Sequence, residues 1–406
     1  MQKRRTKIVA TLGPASSSPE IIEKLILAGV DVARLNFSHG SADDHRERTQ
    51  IIRTLASKHK KYIAIMGDLQ GPKIRIARFA NSQVELMAGR PFTLSNAHPL
   101  DNGNENIVGI DYPSLIHDCK PGDELLLDDG RVVLEVNQVD DQAVHTTVTQ
   151  GGPLSNNKGI NRRGGGISAP SLTDKDKADI RTMAELELDY VAVSFPRQGS
   201  DIEEARHLLE AAGSKAWIIA KIERAEAVID DNALDELIMA SDGVMVARGD
   251  LGVEVGDARL AGIQKRIILH ARTHNKLVIT ATQMMESMVS SPLPTRAEVS
   301  DVANAVLDYT DAVMLSAEQE PGTTKSQHRL GESFTRCDET IALSAMYAAN
   351  HFHGIKAIVS LTESGHTPLI MSRIRSGVPI YCYTSHPATE RRVALFRGVY
   401  ALPFDT

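Results

Sequence analysis

Two apolar runs in this chain end in charge. AWIIAKIERAE delivers Lys221 and Glu223, and VMVARGDLGVEVG (residues 244–256) delivers Arg248, Gly249 and Asp250. One ammonium and two carboxylates at successive strand ends can hold a divalent metal against a phosphate. Hard oxygen ligands suit Mg²⁺ or Mn²⁺, and a point charge suits phosphoryl oxygens. Taken singly, KIE or GDLG reads as a surface ion pair; their repetition turns the reading toward chemistry. Lys221 has a rival reading as the Schiff-base lysine of an aldolase. Two nearby carboxylates would keep it protonated and favour electrostatic work instead.

Such strand ends need a frame. Short β-rich runs alternate with amphipathic segments from KIVATLG and PEIIEKLILAG through to AVMLSAE, and the count reaches eight strands. That is the signature of an α/β protein built as a (β/α)₈ TIM barrel. A doubly wound open sheet is the competing frame, but no GxGxxG opens a helix. The alternation breaks between Gly71 and Lys158, where PGDELLLDDGRVVLEV and AVHTTVTQGG carry turn signals and no helical period. This predicts a small all-β domain inserted after the third strand, placed as a lid over the carboxyl face. The domain plan is a barrel over 1–70 and 159–325, the lid over 71–158, and a C-terminal α/β domain over 326–406 that is expected to be incomplete.

In a closed barrel the carboxyl ends of the strands share one rim. The second strand brings Arg34, Asn36, Ser38 and His39 there, the third Asp68, the seventh Thr282 and Gln283, and the eighth Ser316 and Glu318. Arg34, Arg75 and Lys221 can neutralise phosphoryl oxygens while Glu223 and Asp250 hold a metal. A net charge of -7 argues against non-specific nucleic-acid binding. Three widely spaced cysteines, Cys119, Cys337 and Cys382, and the lack of any membrane-length apolar run predict a soluble cytoplasmic protein.

LNFSHG (35–40), GDLQGPKIR (67–75), GGPLSNNKGIN (151–161), AKIERAEA (220–227), MVARGDLGVE (245–254), ATQMMESM (281–288) and PTRAEVSDVANAVLDYTDAVMLSAE (294–318) resemble the pyruvate kinase family, and the resemblance spans nearly the whole chain. It implies a glycolytic transfer of the phosphoryl group of phosphoenolpyruvate to ADP, giving pyruvate and ATP. By the same resemblance Glu223 and Asp250 bind Mg²⁺ and Lys221 stabilises the phosphoryl group. Gly249 and Asp250 offer backbone N–H groups to the substrate carboxylate. Thr282 stands in a proton relay that Ser316 and Glu318 continue. Arg34, Arg75, His39, Pro14 and Lys158 face the nucleotide. Asn36, Ser38, Asp68 and the Leu69 carbonyl form a monovalent-cation site in members that need K⁺. Those members carry a glutamate where Lys73 stands, so this ammonium is expected to replace K⁺.

The resemblance also implies an allosteric sugar-phosphate or nucleotide effector at LTESGHTP, through Thr362, Ser364, Gly365 and Thr367, and a homotetramer. An ordinary Ser/Thr-capped turn is the plainer reading of that loop. After MLSAE the family continues into a long helix, whereas here Gln319 begins linker sequence at once; residues are therefore expected to be left out between Glu318 and Gln319. A metal-dependent aldolase-type barrel acting on pyruvate and a catalytically silent regulatory homologue are the alternatives. GGPLSNNKGIN with its nucleotide lysine opposes the first, and the intact set Lys221, Glu223, Asp250 and Thr282 opposes the second.

Overall fold

The computed structural model describes residues 4–289, 291, 293–315, 342, 345, 346, 348–350 and 354–404. The barrel opens with β1 (Lys7–Leu12), β2 (Val32–Asn36) and β3 (Ala64–Asp68). The insertion carries β4 (Gln83–Leu86), β5 (Pro91–Ser95), β6 (Ile107–Gly109), β7 (Glu124–Leu127), β8 (Val132–Val139), β9 (Ala143–Gln150), β10 (Gly152–Ser155) and β11 (Ile160–Arg162). The barrel resumes with β12 (Tyr190–Val193), β13 (Trp217–Ile222), β14 (Gly243–Ala247), β15 (Leu277–Ala281) and β16 (Ala312–Leu315), and the C-terminal domain has β17 (Ile358–Leu361), β18 (Ile380–Thr384) and β19 (Val399–Pro403). All eight barrel strands pair in parallel and β16 closes onto β1.

The helices are α1 (Pro19–Ala28), α2 (Ala42–Lys58), α3 (Leu115–Asp118), α4 (Asp174–Glu185), α5 (Gly199–Ala211), α6 (Asp231–Ala240), α7 (Arg248–Val255), α8 (Asp257–Thr273), α9 (Arg296–Leu307), α10 (His366–Arg373) and α11 (Pro387–Arg392). Their starts are chemically marked. Ser18, Ser41, Thr173, Asp230 and Thr295 each accept a first-turn amide with the side chain, satisfying donors that no helix can satisfy internally. None of the described helices is long and apolar enough to cross a membrane.

Three findings depart from the sequence-based expectation. RGDLGVEV, whose Arg248, Gly249 and Asp250 are expected at the end of the sixth strand, is the helix α7, so Asp250 lies in a first helical turn. The lid sheet runs to Arg162, since β11 pairs with β7, and so passes the expected boundary at Lys158. The lid also holds the short helix α3 among its strands. The junction of Glu318 and Gln319, and Ser316 with it, lies outside the described residues.

A fourfold pattern organises the amino end of the barrel. Asp31, Asp189, Asp242 and Asp311 each stand one residue before an even-numbered barrel strand. Their carboxylates accept the amides of Ile8, Ile65, Ile218 and Val278, the second residue of each preceding strand, at 2.8, 2.8, 2.8 and 2.9 Å. Each also meets an arginine: Arg4 at 2.6 Å, Arg53 at 2.9 Å, Arg206 at 3.3 Å and Arg373 at 2.7 Å. The last of these arginines comes from the C-terminal domain, as does Arg391, which reaches Asp189 at 2.7 Å. The apolar interior follows them: barrel residues such as Met66, Ile219 and Met314 and domain residues such as Leu369, Leu395 and Phe396 form one continuous cluster.

Arg373 and Asp311 are 2% and 0% exposed. Removing one partner of such a pair leaves an uncompensated buried charge. Arg373→Met should therefore lower the free energy of unfolding by about 3–5 kcal/mol, which urea denaturation would measure; an unchanged midpoint would show that the pair carries no stability.

Candidate active site

At the carboxyl end of the barrel, charges of alternating sign lie side by side. Arg34, on β2, donates through Nε to Asp68 Oδ2 at 2.6 Å and through Nη1 to Thr11 Oγ1 at 2.9 Å. Asp68, the last residue of β3, also lies 3.2 Å from the Lys221 ammonium, which reaches Glu223 Oε1 at 2.9 Å and Ser194 Oγ at 2.8 Å. The Ser194 hydroxyl in turn donates a hydrogen bond to the Leu69 carbonyl at 2.7 Å, and the Phe195 amide donates to Glu223 Oε2 at 2.8 Å. The fourth barrel strand thus supplies Ser194 and Phe195, which sequence reasoning passed over. A serine after YVAV is an ordinary strand ending; only the lysine one strand away gives it a role.

Burial and charge compete here. Burial raises the Asp68 carboxyl, but Arg34 and then Lys221 outweigh it and the net shift is downward. Burial pulls the Lys221 ammonium down, yet Asp68 and Glu223 together raise it. The raised ammonium favours an electrostatic role for Lys221 over that of a Schiff-base nucleophile. Glu223, 2% exposed, is raised by burial, against the pull of Lys221 and with a further push from the charge of Asp250. Asp250 lies in the helical turn after the neighbouring strand β14, which pairs with β13. Among the described residues no group of three or more His, Cys, Asp or Glu side chains forms a cage. Two carboxylates completed by substrate oxygens and water is the usual manner of holding Mg²⁺, so the residues fit the ion.

Lys73 is where expectation and structure part. Its ammonium reaches Asp250 Oδ1 at 3.1 Å rather than the group Asn36, Ser38, Asp68 and Leu69. The cause is local charge: Asp68 is already held by Arg34 and Lys221, Leu69 by Ser194, and Asn36 Oδ1 by the Ser38 amide at 3.1 Å, which leaves Asp250 as the carboxylate in need of a cation. A second correction concerns Gly249. Its N–H, expected to be free for a substrate carboxylate, donates to Thr282 Oγ1 at 2.8 Å.

Other expected residues are dispersed. Arg75 and Lys158 sit on the lid, Arg75 bonded to the Asn157 carbonyl at 2.9 Å and Lys158 paired with Asp128 at 2.7 Å. His39 and Pro14 are exposed at the rim, and Ser316 and Glu318 lie outside the described residues. A cleft of about 710 Å³ separates the lid tip, with Asp129 and Arg131, from Gly249 and Thr282 on the barrel. Thr362, Ser364 and Gly365 form the turn into α10, and Thr367 lies in its first turn. There Thr362 Oγ1 accepts the Gly365 amide at 3.0 Å, and α10 runs from the turn to the amino end of the barrel, away from this cleft.

The lid is tied down on its return path. Gly164, Gly165 and Gly166 have φ of +79°, +81° and +93°. The Gly164 amide donates to the Glu254 carbonyl at 3.0 Å, and Gly166 to Glu226. A Cβ on Gly165 would lie 2.1 Å from Glu226 Oε2. Glu254 itself accepts the Ala225 amide at 2.8 Å and faces Asn161 of β11 and Arg224. Lid, metal-site loop and α7 therefore meet at one carboxyl.

A parallel eight-stranded barrel thus carries a buried ammonium between carboxylates at its carboxyl end, beneath a β lid. The sequence matches the profile of the pyruvate kinase barrel domain over residues 3–327 and that of the pyruvate kinase alpha/beta domain over 339–406. It is 54% identical to pyruvate kinase II of Salmonella typhimurium over 425 residues, covering 99% of this chain and 88% of that one. A pyruvate kinase of Geobacillus stearothermophilus is 43% identical over 98% of this chain and 71% of its own. The crystal structure of a pyruvate kinase from Cryptosporidium parvum superposes with a TM-score of 0.91 at 32% identity, covering 99% of this chain and 88% of that chain. The chain belongs to the pyruvate kinase family, and is accordingly a phosphotransferase.

Burial pushes the Glu254 carboxyl up to about 7 from 4.5, against Arg224 and the Ala225 amide. The folded protein thus keeps a proton that the unfolded chain releases, and loses stability as pH rises from 4.5 to about 7. Glu254→Gln should remove this slope. The unfolding free energy of the variant minus that of the parent should rise by up to about 3 kcal/mol across the window and be level above it; a difference that is level throughout would mean Glu254 is already ionised.

Proposed function

We propose that this chain moves the phosphoryl group of phosphoenolpyruvate to ADP, with Glu223 and Asp250 holding Mg²⁺ or Mn²⁺. The observation that carries the reading is Lys221, protonated, fixed by Asp68, Glu223 and Ser194 at the carboxyl ends of the strands. In the reaction a β-phosphate oxygen of ADP attacks phosphorus and the bond from phosphorus to the enol oxygen breaks. Negative charge spreads over the oxygens in transit, and Lys221 with Arg34 stabilises it; preorganised charge of this kind is commonly the largest catalytic contribution. A divalent ion, held by Glu223 and Asp250, would supply further charge neutralisation. The lid brings Arg75 and Lys158 over the nucleotide phosphates, with His39 and Pro14 at the rim on that side.

The enolate left behind takes a proton at its methylene carbon and becomes pyruvate. Thr282, beside Gly249, is proposed to stand in that proton path, with Ser316 and Glu318 continuing it. The raised Lys221 opposes the aldolase reading, and the complete charge set opposes the silent-homologue reading. We also assign to this proposal a cytoplasmic location, a homotetramer, and an anionic effector at Thr362, Ser364, Gly365 and Thr367.

A coupled assay for ATP formation from phosphoenolpyruvate and ADP tests the reading directly. Lys221→Met should lower kcat by about 10³-fold or more while leaving the circular dichroism spectrum intact; near-normal turnover would sink the mechanism. Independence from K⁺ is the second expectation. Lys73 places its charge at Asp250, and Arg34 and Lys221 already occupy the carboxylate that a monovalent ion would need. The rate in tetramethylammonium buffer should not climb when KCl is added; a large, saturable K⁺ effect on the enzyme would defeat this part.

A further inference from the structure

Thr282 holds φ at +63°, and Gln283 and Met285 after it hold +56° and +55°. A β-branched residue rarely enters this region, and keeping one there takes of order 1–3 kcal/mol from its surroundings. One side chain dominates those surroundings. Arg248, the first residue of α7, is 5% exposed. Its Nη2 donates to the Thr282 carbonyl at 2.6 Å and its Nε to the Ala281 carbonyl at 3.2 Å. Its Nη1 meets both carboxylate oxygens of Asp301, on α9, at 2.7 Å each, and Gln264 at 3.4 Å.

The two carbonyls bracket the backbone of Thr282. Fixing both with one planar fork fixes its φ and ψ together, and with them the direction of Cβ; from there Oγ1 accepts the Gly249 amide at 2.8 Å and donates to the Ala281 carbonyl at 2.7 Å, which settles its rotamer. A lysine has one compact charge and cannot span two carbonyls and a carboxylate in a plane. We infer that Arg248, stiffened by Asp301, is a positioning residue that holds Thr282 in its left-handed pose, setting the hydroxyl against Gly249 at the cleft. This rests on the proposed place of Thr282 in the proton path.

The test uses the complete enzyme with Mg²⁺ and ATP and follows deuterium uptake from solvent into the methyl group of pyruvate by NMR, alongside kcat and the KM for ADP. Arg248→Lys should slow exchange and turnover by about 100-fold, the order expected from a small misplacement of a reacting group, with the KM for ADP unchanged. Asp301→Asn should act in the same direction and more weakly, and decides the matter if Arg248→Lys does not fold. Thr282→Val separates the two layers. Normal exchange in Thr282→Val overturns the reading of Thr282 itself. Slow exchange in Thr282→Val with normal exchange in Arg248→Lys and Asp301→Asn overturns the positioning role alone, as does a loss of exchange in the arginine variant that the KM for ADP follows in equal measure.

Discussion

The register of the barrel rests on four aspartates at its amino end. A parallel strand pair leaves an amide without an acceptor where the neighbouring strand has not yet begun. Asp31, Asp189, Asp242 and Asp311 supply that acceptor at every second junction. Slipping a strand by one residue would break the bond and turn its side chains to the other face. The residues at the carboxyl rim are a few positions further along the same strands, so their spacing is inherited from this end.

At the rim the same economy of charge reappears in a different form. Arg34, Lys221 and Lys73 face Asp68, Glu223 and Asp250, and each carboxylate touches at least one of the cations. Such a set is close to neutral in itself. Burying it is tolerable because each charge has a partner and hydrogen bonds satisfy the rest. A polyanionic substrate and a divalent ion can then enter as a further pair without leaving either sign uncompensated.

Much of this was legible in the sequence. The eight barrel strands could be counted because each is a nearly unbroken apolar run, and Lys221, Glu223 and Asp250 stood out because they interrupt such runs. The aspartate pattern was written just as plainly in VDVA, LDYV, SDGV and TDAV, but an acidic residue before a strand also suits an ordinary turn, and its meaning lies in the neighbouring strand. Long-range partners were the harder part. Nothing local says that Lys73 meets Asp250, more than a hundred and seventy positions away, or that Arg248 turns inward to the next strand and Asp301. The helix α7 was hidden by two glycines in RGDLGVEV, which lower helix propensity.

The continuous cluster running from Met66 and Met314 into Leu395 and Phe396 gives the C-terminal domain a standing that its position in the chain conceals. Trp217, at the start of a barrel strand, stacks on Phe396 at 5.7 Å, and the Tyr190 hydroxyl donates to the Arg392 carbonyl at 2.6 Å. Among the described residues it is this domain that floors the barrel. A barrel cut free of this domain would open apolar interior such as Met66 and Met314 to water, so a graft of either unit would have to carry the surface that joins them.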